Sequence, residues 1–325
     1  MASALIVLPG EAVLHAGNSK ECFMSFHVPE KNASLFSEVQ QRFRMLLKKG
    51  IVTGIDEETL DCWLANFRTD EERYFAACVL GRLIFRSKSM IDSSIDQLLN
   101  CMLPTYLRQK GLYPYDDIDS FLTSIRQDDP AHFIRFVGVD GSKQNDTGKS
   151  GVVVIRHYKR RAKIPKSVTI RPDALGQLPE HVKCVVFLDD MLGTGKQFET
   201  FAKTHALADK AGIQIVYCPL VAFQDGLDKL AKICPWLTVL PVETLNERHQ
   251  FFCESTLTPG LWEVDGANTV ADARSFYDLL ATKRGIPKTT RHGLDLLLGF
   301  EDSTPNNSLS VLWASSDNWD NLLMR

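Results

Sequence analysis

Apolar positions change their rhythm once along this chain. Between about residue 33 and residue 111 they recur every three or four residues, as in Leu35, Val39, Phe43 and Leu47, and Gly50 is placed to end that helix. Thr69-Asp-Glu-Glu72 has the form of a capping box and opens a second predicted helix running through Tyr74, Cys78 and Phe85. A third starts at Met90, carries Ile91, Ile95, Leu98 and Met102, and meets a terminator at Gly111. Aromatic and methionine stripes at this spacing are the buried face of amphipathic helices rather than a cofactor box.

Beyond Gly111-Leu-Tyr-Pro-Tyr-Asp-Asp117 the pattern becomes short, continuous apolar runs separated by polar stretches. His132–Val139, Gly151–Arg156, Cys184–Leu188, Ile213–Ala222 and Leu237–Pro241 are the predicted strands; Thr194–Ala211 and Asp225–Ile233 are the predicted helices. Continuous runs suit strands covered on both faces, as in a parallel sheet flanked by helices. The expected fold is therefore α/β, with an N-terminal helical module over residues 1–125 and an α/β domain with a C-terminal hood and tail over residues 126–325. Right-handed crossovers bring the C-terminal ends of such strands to one edge, where ligand loops belong.

Composition narrows the function classes. The 325 residues carry a formal net charge of -3 with mixed signs, so the chain lacks the overall basic footprint of a nucleic-acid binder. Eight cysteines, at 22, 62, 78, 101, 184, 218, 234 and 253, show no C-x-x-C or metal spacing and read as reduced core cysteines of a cytoplasmic protein. The N-terminal ALIVLPGEAVLHAG is apolar but short and without a basic flank, which argues against a secretory signal. No apolar run reaches the ~20 residues that cross a bilayer, so no membrane association is expected.

The chemistry concentrates in VVFLDDMLGTGKQ, Val185 to Gln197. A P-loop fails on spacing: the glycine needed five residues before the Gly-Lys pair is Asp190, and the Ser or Thr needed after the lysine is Gln197. Leu192, Gly193, Thr194, Gly195, Lys196 and Gln197 instead offer a glycine-bearing turn into a helix N-terminus, whose N–H groups suit a phosphate monoester. Asp189 and Asp190 would repel that phosphate and are expected to face a hydroxyl-rich part of the same ligand. A ribose diol fits, each carboxylate–hydroxyl bond contributing roughly 1.5 to 3 kcal/mol, and negative charge under the sugar favours an oxocarbenium-like transition state. The competing explanation of the pair is a strand end capping the next helix.

This stretch resembles the signature of type I phosphoribosyltransferases that binds 5-phosphoribosyl 1-pyrophosphate (PRPP), with Gly193, Phe187 and Gln197 departing from it. The resemblance implies that Asp189 and Asp190 hold the ribose hydroxyls while Leu192 to Gln197 wrap the 5'-phosphate. It also implies a pyrophosphate loop in GVDGSKQNDTGKSG, with Ser142, Lys143, Lys149 and Ser150, and a strand with a basic flexible loop in VVVIRHYKRRAKIPK. There Arg156 and Lys159, with Arg160 and Arg161, would neutralise departing pyrophosphate, although a solvated basic loop explains the same cluster. Mg²⁺ would be held mainly by substrate oxygens, without a protein cage.

Over most of the chain, WLANFRTDEER, KSGVVVIRHYKR, LDDMLGTGKQF and LLLGFEDSTPNNSLSVLW resemble phosphoribosyltransferase-like proteins of bacterial conflict systems, some neighbouring retron reverse transcriptases. That implies an anti-phage effector or toxin with a partner protein or a reverse transcriptase–nucleic acid complex, and admits a homo-oligomer. A non-catalytic sensor of PRPP or a nucleotide, and a hydrolase on the same scaffold, stay open. In the tail, Thr304-Pro305-Asn306-Asn307 is a turn or an amide pair closing a base pocket, Trp313 and Trp319 are expected to dock on the core, and His249 is expected at the surface.

Overall fold

The computed structural model describes residues 26–139, 150–254, 260–288 and 293–325. The first helices form on the stripes the pattern marks. α1 (Leu35–Lys48) buries Val39 and Phe43. α2 (Glu57–Ala65) is capped by the Asp56 carboxylate, which accepts from the Thr59 N–H at 2.7 Å. α3 (Asp70–Arg82) is capped by the Thr69 hydroxyl, which accepts from the Glu72 N–H at 3.2 Å. The capping box is only half made, because the Glu72 carboxylate reaches past Thr69 to the Arg68 N–H at 2.6 Å and pairs with Lys283 and Arg284, each at 2.9 Å.

α3 also stops short of Phe85. Ile84–Arg86 forms strand β1 instead, pairing in parallel with Leu298–Phe300. So distant a partner leaves no trace in local periodicity. The third predicted helix is realised as α4 (Lys88–Gln97), a π-helical turn at Leu98–Met102, and α5 (Leu103–Gln109); α6 (Ile118–Arg126) follows.

The α/β part consists of β2 (Ile134–Gly138), α7 (Ser150–Ala162), β3 (Cys184–Leu192), α8 (Lys196–Thr204), β4 (Gln214–Phe223), α9 (Gln224–Ile233), β5 (Leu237–Val239) and β6 (Glu243–Leu245). β2, β3 and β4 lie side by side in parallel, and β5 and β6 pair with the beginning and the end of β4. On the other side of β2 the chain adds one more parallel bridge: Phe136 N–H donates to the Val168 carbonyl at 2.8 Å and Ile170 N–H to the Phe136 carbonyl at 3.0 Å. The spatial order is thus residues 168–170, β2, β3, β4, then β5 and β6. The chain moves outward from β2 and then returns across it to β3, so its progress reverses between these two strands. That is the topological switch point of a doubly wound α/β sheet, where the strand ends open a crevice.

The helices confirm the winding. α7 covers one sheet face with Val154, Tyr158 and Ala162, and α8 covers the other with Phe198 and Phe201. Here the expectation of a strand at Gly151–Arg156 is corrected. The β-branched Val152-Val-Val-Ile155 run looks strand-like, but burial recurs every fourth residue over 154, 158 and 162, which only a helix can provide. The long helix expected over 194–211 is also shorter: α8 ends at Thr204, and a 3-10 turn at Leu207–Asp209 follows.

α10 (Leu261–Asp265), α11 (Val270–Arg284), β7 (Leu298–Phe300) and α12 (Ser310–Trp313) complete the chain. The expected boundary at 125/126 coincides with no division of the core. α1–α3 share one core with α11 and with Leu309, Val311, Leu312, Trp319 and Leu323 of the tail, and Trp63 Nε1 donates to the Val311 carbonyl at 2.8 Å. α4–α6 belong instead with α7 and the sheet. Trp319 is buried edge-on to Phe67 and Trp313 lies under the Arg325 guanidinium, so both tryptophans dock the tail. Cys62 and Cys101 are exposed, unlike the expected core cysteines, whereas Cys78, Cys184, Cys218, Cys234 and Cys253 are buried; Cys22 and the N-terminal apolar stretch lie outside the described residues. Among the described residues no helix is long and apolar enough to cross a membrane.

Candidate functional site

β3 delivers the two aspartates to the switch point, and strand alternation separates them. Asp189 turns toward α8 and is 1% exposed. Its Oδ2 accepts from the Tyr217 hydroxyl at 2.8 Å and its Oδ1 from the Asp190 N–H at 3.0 Å. Tyr217 stacks on Phe198 at 4.1 Å between centroids, which seals this side. Burial, with the neighbouring charge of Asp190 added, raises the Asp189 carboxyl well above the usual aspartate range. Asp189 is therefore walled off from solvent, so the structure does not present the two carboxylates side by side to one ligand as the sequence led one to expect. Asp190 is half-buried on the opposite face and lines a cavity between β3, α7 and the tail.

The turn after β3 has the form expected of an anion loop. Gly195 takes φ 75° at the N-cap of the nine-residue α8, with Leu192 buried, Gly193 and Thr194 half-buried and Lys196 and Gln197 exposed. Gly193 has a second constraint. A β-carbon there would lie 2.5 Å from Asn307 Oδ1 and 2.8 Å from its Cγ, and a β-carbon on Gly226, in the first turn of α9, would run into the Gly193 carbonyl. A side chain at 193, where the phosphoribosyltransferase signature has one, would require the tail amide of Asn307 to shift. Gly226 allows the close approach from the other side.

α7 begins where the connection from β2 returns, so its N-terminus lies at the same sheet edge as that of α8. Each helix end favours a nearby anion by about 0.3–1 kcal/mol. Of the residues expected in a pyrophosphate loop, Ser142, Lys143 and Lys149 lie outside the described residues and Ser150 opens α7. The basic cluster expected on a flexible loop is on α7, with Arg156 exposed and Lys159 half-buried, neither lining the cavity beside Asp190; Arg161 pairs with Asp96 of α4. α7 presents Val153, Val154 and His157 there instead. His157 was missed in the sequence, as were Asp302 and Ser303, which line the same cavity from the tail. His157 Nε2 lies 3.1 Å from Asp302 Oδ2. Its place one helical turn after Val153 and Val154 was the available signal, once the segment is recognised as a helix. His249 is exposed, caps the turn at Asn246 and does not line the cavity beside Asp190.

A family model, PRTase-CE, matches residues 60–325, most of the chain. The chain belongs to the PRTase-CE family, a phosphoribosyltransferase-like family. Comparison with curated proteins and with solved structures gives no match. The PRTase-CE match starts inside α2 and crosses residues 125 and 126 without a break, in keeping with helices that share cores with the sheet and the tail. Among the described residues no three His, Cys, Asp or Glu side chains gather as a metal cage. Asp189 is committed to Tyr217, so a magnesium ion at this edge would meet the protein through Asp190 and take its remaining oxygens from substrate and water.

Proposed function

We propose that this PRTase-CE protein is a cytoplasmic phosphoribosyltransferase-like enzyme that binds PRPP, or a related ribose-5-phosphate nucleotide, in the crevice between β2 and β3. The observation that carries this reading is the meeting, at one switch point, of two helix N-termini with the end of β3 that bears Asp190, a carboxylate not sealed into the core as Asp189 is. The turn Leu192 to Gln197 would receive the 5'-phosphate, and Asp190 the ribose hydroxyls and the positive charge developing at C1. The N-terminus of α7 would take the pyrophosphate, with Ser142, Lys143, Lys149 and Ser150 in the preceding segment. Mg²⁺ bound to pyrophosphate and ribose oxygens would supply neutralisation of the leaving group. Arg156 and Lys159, on the outer face of α7, act in this reading at long range or on an incoming acceptor.

One observation favours a second reading, a sensor that binds the same ligand without turning it over. Asn307 touches the phosphate turn at Gly193, and the tail that carries it continues into the core of α1–α3, so loading of the turn has a physical route to the N-terminal helices. The sequence resemblance supports an anti-phage setting for either reading, with a partner protein or a reverse transcriptase complex as the recipient of the signal or the restraint on the toxin. Titration calorimetry of the full chain with PRPP and Mg²⁺, followed by mass spectrometry with a panel of bases and nucleotides, separates them. Binding with pyrophosphate release supports the enzyme, and binding without product the sensor. No binding by wild type, or D190N binding as tightly as wild type, sinks the assignment of the crevice.

A further inference from the structure

The cavity beside Asp190 is small and its chemistry is specific. It has a volume of about 20 Å³, room for a single water molecule. Ile91, Val154, Leu220 and Phe300 give it dry walls, and Asp190, His157, Asp302 and Ser303 give it polar ones. The His157 side chain is 9% exposed, and its Nε2 is 3.1 Å from Asp302 Oδ2. A carboxylate that holds one imidazole nitrogen orients the ring and fixes which nitrogen carries the proton, the arrangement of a general base. With Nε2–H donating to Asp302, the lone pair on Nδ1 is the proton acceptor. An anchor for the tail needs only a hydrogen bond; it does not need a water-sized space shared with the carboxylate at the switch point.

We infer that His157, oriented by Asp302, activates a water held in this cavity beside Asp190, and that this water hydrolyses a ribose 5-phosphate carrying pyrophosphate at C1 whose sugar sits in the crevice at the switch point, outside the cavity. The inference rests on the ligand assignment proposed above and adds that water is the acceptor. In the step, the water oxygen bonds to C1 as the bond from C1 to the pyrophosphate oxygen breaks, and that electron pair leaves with pyrophosphate. The water proton passes to His157, and Asp190 steadies the positive charge on the ribose ring. The products are ribose 5-phosphate and pyrophosphate, with no oxidant or further reactant. His157 is the catalytic base and Asp302 a positioning residue.

The test uses the full chain with PRPP and Mg²⁺ in ¹⁸O-water without any acceptor, with binding followed separately by calorimetry. Wild type is expected to form ribose 5-phosphate and pyrophosphate in equal amounts above the protein-free rate, with the pyrophosphate unlabelled because no P–O bond breaks. H157A is expected to lose about 100-fold in turnover while binding PRPP normally, and added imidazole to restore part of that loss. D302N, at a half-exposed position that tolerates the change, is expected to lower kcat by about tenfold with KM unchanged. PRPP binding without acceptor-free turnover, or turnover untouched by D302N and H157A, overturns the inference and leaves the ligand assignment standing. Absence of PRPP binding overturns both.

Discussion

The Tyr217 hydroxyl of β4 donates to Asp189 Oδ2 of β3 at 2.8 Å, and this bond makes one aspartate of the pair structural. Burial, then the charge of Asp190, raises the Asp189 carboxyl well above its ordinary value of 3.8. An acid whose pKa is raised by folding holds its proton more tightly in the folded state. Its contribution to stability is therefore fullest below the unfolded value and declines as pH rises toward the folded one. D189N removes this decline, so its stability relative to wild type is expected to improve between about pH 4 and pH 7. Urea melts across that range measure the difference, and a pH-independent gap between the two proteins would contradict it.

Tyr158 shows the opposite situation on α7. Its buried hydroxyl has no hydrogen-bond partner among the described residues, and burial raises its pKa well above the usual tyrosine value. Leaving a buried hydroxyl unpaired costs roughly 1–3 kcal/mol, so Y158F is expected to match wild type or exceed it by about 1 kcal/mol. A clear fall in the midpoint of thermal unfolding would reveal a hydroxyl held by an ordered water.

Much of this architecture was legible because the relevant signals are local. Cys184 to Leu188 and Ile215 to Ala222 are buried on both faces and read as strands, and Gly193 to Gly195 read as a glycine-bearing turn into a helix. The divergence of Asp189 and Asp190 was available from strand alternation alone. Residues 151–156 misled because β-branched residues fit strands and buried helices alike, and only the longer register of Val154, Tyr158 and Ala162 decides between them. Phe85, the 125/126 boundary and the His157–Asp302 pair depend on contacts between distant parts of the chain. No window of sequence contains both partners.

Gly193 gives a test of the contact between turn and tail. G193A would place a β-carbon 2.5 Å from Asn307 Oδ1, and overpacking of this kind costs about 1–3 kcal/mol. Shortening the tail residue should relieve it, so the loss in G193A/N307A is expected to be smaller than the sum of the two single losses. A double-mutant cycle by chemical denaturation reads the coupling. Additive effects would mean that the tail moves aside freely and does not set the position of the turn.

Glu72 provides the acid-side counterpart to Asp189, with the opposite sign. Burial alone would raise its pKa, but the Arg68 N–H, the Lys283 hydrogen bond and the charges of Arg284 and Lys283 outweigh burial and hold it below the ordinary 4.5. Its partner Arg284 is itself only 3% exposed, with one guanidinium nitrogen shared between Glu72 and the Asn66 carbonyl at 2.6 Å. A depressed acid contributes stability that is fully present above its unfolded value and is lost as pH falls through the folded one. E72Q leaves Arg284 buried without a counter-charge, so a loss of about 3 kcal/mol is expected at neutral pH. The gap to wild type should close on acidification, because wild type loses the same interaction by protonation. Parallel acid limbs for the two proteins, measured by chemical denaturation from neutral pH downward, would show that this junction of α3 with α11 does not depend on the ionised carboxylate.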